Sequence, residues 1–396
     1  MPANGISNSE KTDLISDMEA AGELLHFEAL VGAGLARLDS REECCMSDRV
    51  LPRVTRFYDE HIRHSAYYDQ LRRIVEPSSQ ELEGSGHWDT SGELDNTVMP
   101  GLQHKYPQTA LILATDKCFS YCRFCFRKRL IGSDLREIAT DYREIAKYIQ
   151  NHPEVSNVLL SGGDPFVLST NQLQRILDHL LPISHLTAIR FGTRAMVYYP
   201  VRFRDRQLIG LFERIIQAGK RAVIVGHIDH VDEISEETVV HIETLRRMGV
   251  QFFNQTVLLK GVNDDPELLA ATFQKLHWLG LQPYYLFQAR PAKGTLHFQV
   301  PLRHGVEIVH AVNRRLSGIQ KTFRYVMSHR TGKIEILDMG RDDRLCMRYH
   351  QNKDSEKIGK VFSRLCREES CWLDDLPSSE SMHIGSQPEI PAMKEG

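Results

Sequence analysis

Between residues 110 and 327, apolar strand-like runs alternate with amphipathic helical patterns, and this alternation limits the fold more than any other feature. The strand-like runs are 110–115, 156–160, 187–192, 222–227, 252–258, 283–288 and 322–327. Helical patterns lie between them at 134–151, 169–181, 203–218, 234–248, 265–279 and 305–317. Ser169-Thr170 and Ser235, followed by Glu, are helix-start signals. Gly219, Gly249 and Gly280 stand where helices end before the next strand. Such alternation predicts βαβ units, a parallel sheet and an α/β fold, and the strand count suggests an incomplete barrel. A chain of 396 residues, 41% of them hydrophobic, can bury one large core with appendages.

Cys118-Phe-Ser-Tyr-Cys122-Arg-Phe-Cys125 follows the first of these strands. Chemistry in α/β folds gathers at the C-terminal ends of strands. Thiolates are soft ligands that suit iron–sulfur clusters and zinc. Three of them on a short loop can hold three corners of a cubane cluster, leaving the fourth iron open to another chelator. The competing readings are three ordinary buried cysteines or a zinc loop, although zinc sites usually pair CxxC units with a fourth ligand. One βα unit later, Ser161-Gly162-Gly163-Asp164 ends the run Val158-Leu159-Leu160. Two glycines at a strand end allow close backbone approach, though Gly-Gly-Asp is also a common turn. His227 ends a later strand, where a lone histidine is often structural, and Gln255 lies on the next.

Composition excludes some classes. A net charge of −3 and a pI near 6.7 give no bulk bias toward nucleic acid or membrane. No apolar run reaches the roughly 18 residues of a membrane span. The first residues lack a basic segment followed by an apolar one, so no signal peptide is expected. Eight cysteines in a chain this long are not a disulfide framework. These features favour a cytoplasmic protein.

The motifs together resemble the lysine 2,3-aminomutase family of the radical S-adenosylmethionine (SAM) superfamily. They run from Val98-Met99-Pro100-Gly101-Leu102-Gln103-His104-Lys105-Tyr106-Pro107, through the cysteine loop and Gly162-Gly163-Asp164, to Asn254–Asp264. The resemblance covers about residues 50–337. It implies a partial (β/α)6 barrel, a 4Fe–4S cluster on Cys118, Cys122 and Cys125, SAM as radical source, and often pyridoxal phosphate (PLP). It also implies an amino acid substrate and an electron donor such as flavodoxin or ferredoxin, and a homo-oligomer is compatible with it. Tyr121 would lie over the adenine, and Gly162, Gly163 and Asp164 near the SAM amino group, while His227 and Gln255 would hydrogen-bond SAM. Arg127 would clamp the substrate α-carboxylate. Lys333 would hold PLP as a Schiff base, with Lys105 near its phosphate.

Three departures from the family pattern matter. Only Gly332 remains of the glycines that precede the PLP lysine, and His329-Arg330-Thr331 replace the others. Arg330 is then a candidate for the phosphate, and the plain alternative is a surface Lys333 with PLP lost. Second, a further phosphate-site arginine is Thr109 here. Third, two aspartates that hold the ε-ammonium of lysine are replaced by Arg290 and Val326. A buried cation opposite a cationic side chain is repulsive at low effective dielectric. A 2,3-aminomutase acting on something other than free lysine is therefore expected, with Arg290, or else Lys293, meeting an anionic or polar distal group. A PLP-independent radical SAM enzyme (an epimerase, dehydratase, deaminase or other rearrangement) is the alternative.

Outside the core, residues 1–105 are expected to form a mostly helical extension, with Leu24, Leu25, Phe27, Leu30, Val31 and Leu35 on one helix face. Cys44 and Cys45 read as small packed residues. The core spans 106–337. Residues 338–396 form a C-terminal extension, disordered from about 376. Its Cys346, Cys366 and Cys371 could hold a metal, although their spacing matches no zinc template.

Overall fold

The computed structural model describes residues 14–26, 52–131 and 137–377. Its N-terminal part contains helix α1 (Leu14–Ala20), a two-stranded antiparallel pair of β1 (Leu24–Leu25) and β2 (Val54–Thr55), and helices α2 (Arg56–Arg63) and α3 (Tyr68–Val75). Leu24 and Leu25 therefore belong to a strand and not to the expected helix. Phe27, Leu30, Val31, Leu35, Cys44 and Cys45 lie outside the described residues.

The main sheet has twelve strands in sequence order. They are β3 (Thr97–Met99), β4 (Leu102–Tyr106), β5 (Thr109–Thr115), β6 (Asn157–Gly162), β7 (Ala188–Thr193), β8 (Arg221–Gly226), β9 (Gln251–Leu258), β10 (Gln282–Gln288), β11 (Arg324–His329), β12 (Gly332–Met339), β13 (Arg344–Asn352) and β14 (Val361–Leu365). Strands β5 to β11 are parallel, and antiparallel strands extend the sheet at both edges. The sheet stays open among the described residues, as an incomplete barrel must.

Six crossovers connect the parallel strands. They carry α4 (Tyr142–Gln150), α5 (Thr170–Leu180), the short α6 (Ala195–Tyr198) with α7 (Arg206–Gln217), α8 (Glu236–Arg247), α9 (Pro266–Leu279) and α10 (Leu302–Arg315). The boundaries have local causes. The Ser169 hydroxyl accepts from Gln172 N at the start of α5, and the Ser235 hydroxyl from Thr238 N at the start of α8. Asp265 caps α9 with Pro266 at its first position, and Gly280 ends it at φ +75°.

Strand burial alternates. Val158 and Leu160 on β6, and Ile189 and Phe191 on β7, are buried toward the helices. The intervening Leu159, Ser161, Arg190 and Gly192 face a shared cavity. Parallel strands usually read as continuous apolar runs because both faces are dry. Here the inner face is wet, so polar residues recur there with period two.

The C-terminal extension is folded further than its sequence suggests. The boundary expected at 337 falls inside β12, and β13 and β14 continue the same sheet. Past β14 the chain crosses the end of the core. Gln288 Nε2 donates to the carbonyls of Val300 at 2.7 Å and Cys371 at 2.9 Å, and Leu302 N donates to Ser370 O at 2.8 Å. Trp372, Leu373 and Leu376 are buried there. Leu376, the expected start of the disorder, is buried, and residues 378–396 lie outside the described residues. Trp372→Ala should destabilise the protein by about 3–5 kcal/mol, the usual cost of emptying a buried aromatic site. Chemical denaturation with the midpoint compared to wild type measures this.

Candidate active site

The cysteine loop is positioned by two close backbone contacts. Gly163 N donates to Thr115 O at 2.7 Å, and Asp164 N donates to Lys117 O at 2.8 Å. A Cβ on Gly163 would stand 2.1 Å from Lys117 O, and one on Gly162, whose φ is +114°, 2.3 Å from Thr115 O. The glycine pair is thus required by the stem of the cysteine loop, whatever ligand it meets beyond. Asp164 lines the cavity, but both its carboxylate oxygens are already engaged. They accept from Thr193 Oγ1 and from the backbone N–H groups of Phe166, Arg194 and Ala195. Asp164 thus ties β6 to the end of β7, and its oxygens are not free for a SAM ammonium group.

The basic residues of the loop are anchored by segment 77–97, which sequence alone presents as a polar connection. Arg123 and Lys128 share Glu81: Arg123 Nε and Nη2 each donate at 2.7 Å, and Lys128 Nζ at 2.9 Å. Glu93 accepts from Arg127 Nε at 2.7 Å and Arg129 Nη2 at 2.9 Å. Asp89 shapes this segment by accepting from Ser91 N, Glu93 N and Leu94 N. Burial by itself pushes the Glu81 carboxyl up, but Arg123 and Lys128 outweigh it and hold it at about 2.

A cavity of about 350 Å³ opens over this loop. It is lined by Cys118, Cys122, Cys125, Gly162, Gly163, Asp164, His227, Gln255, Arg127, Arg290, Lys105 and Lys333. The fold thus brings together twelve of the thirteen site residues expected from sequence. Tyr121 is the exception: it does not line the cavity, and the Arg53 guanidinium covers its ring at 4.7 Å. Arg330 and Lys293, the alternatives for anion contacts, are also elsewhere. Arg330 is 3.7 Å from Asp95 at the surface, and Lys293 Nζ sits 4.8 Å from the Trp88 ring.

At the loop end, burial pushes all three thiols up, Cys122 to about 12. Three buried sulfurs on one wall form a soft donor set suited to iron, whose positive charge offsets the cost of a buried thiolate. Among the described residues, no three His, Cys, Asp or Glu side chains are gathered as they stand around a common metal position. That holds for Cys346, Cys366 and Cys371 too. Cys366 Sγ lies 3.6 Å from Arg367 O, and Cys371 Sγ 3.3 Å from Glu369 O. His227 packs against Phe124 with ring centroids 5.5 Å apart and places Nε2 3.2 Å from Asp229 Oδ2.

The opposite end is cationic. Lys105 Nζ donates only to carbonyls, Ser91 O at 3.0 Å and His329 O at 2.8 Å. Arg190 Nη1 donates to Asn157 Oδ1 at 3.0 Å. Arg290 donates to Ser91 Oγ, and its guanidinium stacks 3.7 Å from the Phe126 ring. Lys333 Nζ lies 4.1 Å from the Tyr285 ring centroid and 5.6 Å from that of Phe287. Among the described residues, none of these four cations has a carboxylate within ion-pair distance. Burial lowers Lys105 to about 8 and Arg290 to about 10. It also depresses Lys333 far below the usual lysine range, helped by Arg190, Arg290 and Lys105. Among the described residues, the carboxylates lining the cavity are Glu93 and Asp164, the two already committed.

Lys333 owes its place to a hairpin. It pairs with Ser328 on β11 and Gln351 on β13, and both also line the cavity. Gly332 permits this, since a Cβ there would stand 2.4 Å from Gln351 O. The half-buried Lys333 is therefore not the surface lysine of the plain alternative. Arg190 and Glu93 went unnoticed in the sequence. A lone arginine at an alternating position in Ala188-Ile189-Arg190-Phe191 was the available signal for Arg190.

No protein-family model matches the chain. A provisionally named L-lysine 2,3-aminomutase of Aquifex aeolicus is 41% identical over 341 residues, 85% of this chain and 90% of that protein. The L-lysine 2,3-aminomutase of Buchnera aphidicola is 30% identical over 268 residues, 67% of this chain and 78% of that protein. The chain belongs to the lysine 2,3-aminomutase family of radical SAM enzymes. The L-lysine 2,3-aminomutase of Acetoanaerobium sticklandii, another family member, is 33% identical over 67% of this chain and 64% of its own. Overlap with solved structures is loose: Streptococcus suis SuiB covers 56% of this chain at a TM-score of 0.40 and 12% identity, and no argument rests on it. Among the described residues no helix is long and apolar enough to cross a membrane.

The Glu81 ion pairs predict an acid sensitivity. A carboxyl held at about 2 when folded, against 4.5 as its ordinary value, stabilises the fold fully above about pH 4.5. That contribution, up to about 3 kcal/mol, should fade as the pH falls toward 2. Glu81→Gln should flatten this part of the stability–pH curve, and equilibrium unfolding between pH 2 and 6 measures it.

Proposed function

We propose that this protein is a PLP-dependent 2,3-aminomutase whose substrate is not free lysine but an amino acid with an anionic or neutral polar distal group. One observation carries the reading: a half-buried lysine of depressed basicity shares one cavity with three thiols and with cations that, among the described residues, have no acid partner. Cys118, Cys122 and Cys125 would ligate the cluster, with Gly162, Gly163, His227 and Gln255 around SAM. When bound, cluster and SAM supply hydrogen abstraction, and PLP supplies the delocalisation that lets nitrogen migrate. Lys333 would hold PLP covalently, because burial lowers the basicity of its Nζ and so favours the nucleophilic free amine. Lys105 and Arg190 would replace the missing glycine amides as phosphate donors. Arg127, braced by Glu93 and Ser161, would take the α-carboxylate.

The charge balance argues against lysine. Its ε-ammonium would meet Arg290 and find no uncommitted carboxylate in the cavity. A distal carboxylate would instead relieve the mutual repulsion of Arg290, Lys105 and Lys333. An external one-electron donor such as a flavodoxin or ferredoxin would reduce the cluster, and a cytoplasmic setting suits this chemistry.

Anaerobic reconstitution with iron, sulfide, SAM and PLP, reduction with dithionite as the one-electron donor, and 5′-deoxyadenosine detection against glutamate, aspartate, glutamine and lysine test the proposal. Acidic or polar amino acids should give 5′-deoxyadenosine and a β-amino product. Good turnover of lysine with rejection of glutamate and aspartate would defeat the charge argument. Arg290→Asp should cost at least about tenfold in turnover of an acidic substrate, roughly 1.4 kcal/mol. Lys333→Ala should lose the PLP absorbance while keeping its iron. Activity that survives in Lys333→Ala would point to the PLP-independent alternative.

A further inference from the structure

Cys122 differs from the other two loop cysteines in having a side-chain partner that can donate a hydrogen bond. Its Sγ lies 3.0 Å from the hydroxyl of Tyr198, on the short helix α6. Tyr198 is 2% exposed and held on several sides. Its ring meets Tyr58 edge-on at 4.8 Å, and the Arg194 guanidinium lies 4.6 Å from its centroid. Thr55 Oγ1 donates to its carbonyl. Arg194 is itself fixed, by Asp229 at 2.5 Å and by Glu233, and Glu233 also accepts from Tyr58 at 2.9 Å. The phenol therefore cannot swing away from the sulfur without unpacking this group.

We propose that Tyr198 is a positioning residue for the cluster, donating its hydroxyl proton to the Cys122 sulfur and so favouring the reduced cluster. A thiolate ligand has no proton to give, so the hydroxyl must be the donor. The added electron of the reduced cluster increases the negative charge on its sulfurs. A hydrogen bond to sulfur therefore stabilises the reduced form more than the oxidised form, and the reduction potential rises. The consequence would be easier electron entry before SAM is cleaved. The inference rests on the cluster reading of the three thiols.

The test uses the full-length protein, reconstituted with iron and sulfide under anaerobic conditions. In Tyr198→Phe, the midpoint potential from an EPR-monitored titration should fall by about 59 mV or more, a tenfold shift in the one-electron equilibrium. Tyr58→Phe, which keeps the hydroxyl at Cys122, should leave it close to wild type. The wild type should also show an Fe–S stretching shift in D2O by resonance Raman spectroscopy. An unmoved potential in Tyr198→Phe at full cluster content overturns the proposal. If Tyr198→Phe cannot hold a cluster, the D2O measurement on the wild type decides alone, and no shift overturns it. A wild type that binds no cluster sinks both this inference and the cluster reading, whereas a normal cluster with an unmoved potential sinks only this one.

Discussion

The cavity depends on two buried glutamates. Glu81 and Glu93 lie in a segment with little regular structure, yet between them they receive Arg123, Arg127, Lys128 and Arg129. Every one of those cations belongs to the cysteine loop or directly follows it. Without acid partners, that density of buried charge would drive the loop outward into water. Desolvation takes back part of the Coulombic gain of such pairs. Their effect is positional. They hold the loop against β6, where the glycines admit its backbone.

The same cavity changes electrostatic character along its length. Near the cysteines the buried arginines have counter-charges: Arg127 has Glu93, and Arg194 has Asp229 and Glu233. Near Lys333 the cations have only carbonyls, amides, hydroxyls and rings. Burying unpaired cations is costly, and their depressed basicity expresses that cost. An anionic ligand would offset it. A cationic ligand would add to it, which is the physical basis of the charge argument proposed above.

Much of the fold was legible in the sequence. Seven strand-like runs and six helical patterns correspond to β5–β11 and the crossover helices to within a few residues, except the start of α4, expected near 134 and found at Tyr142. The signals were local: apolar periodicity, N-cap serines and glycines at helix ends. Leu24 and Leu25 misled because two leucines fit a helix face as well as a strand, and only pairing with Val54 and Thr55 decides between them. The C-terminal strands were hidden by their charge. β13 carries several polar and charged residues, and both it and β14 are only partly buried on the sheet extension, so their apolar signal is weak although each pairs with its neighbour in sequence.

The sequence by itself determined the chemistry at the loop end, because three thiols within eight residues must share one neighbourhood wherever the chain goes. It also determined that seven strands would present their C-terminal ends together. Only the tertiary structure decided which charges are paired. Arg123, Arg127, Lys128 and Arg129 stand close together in the sequence with no sign of their acid partners, and only the fold brings Glu81 and Glu93, some 34 to 47 residues away, into contact with them. Tyr198 likewise reaches Cys122 across 76 residues. Pairing of this kind depends on distances between remote segments, which no local pattern encodes, and it is what sets the charge left over for a ligand.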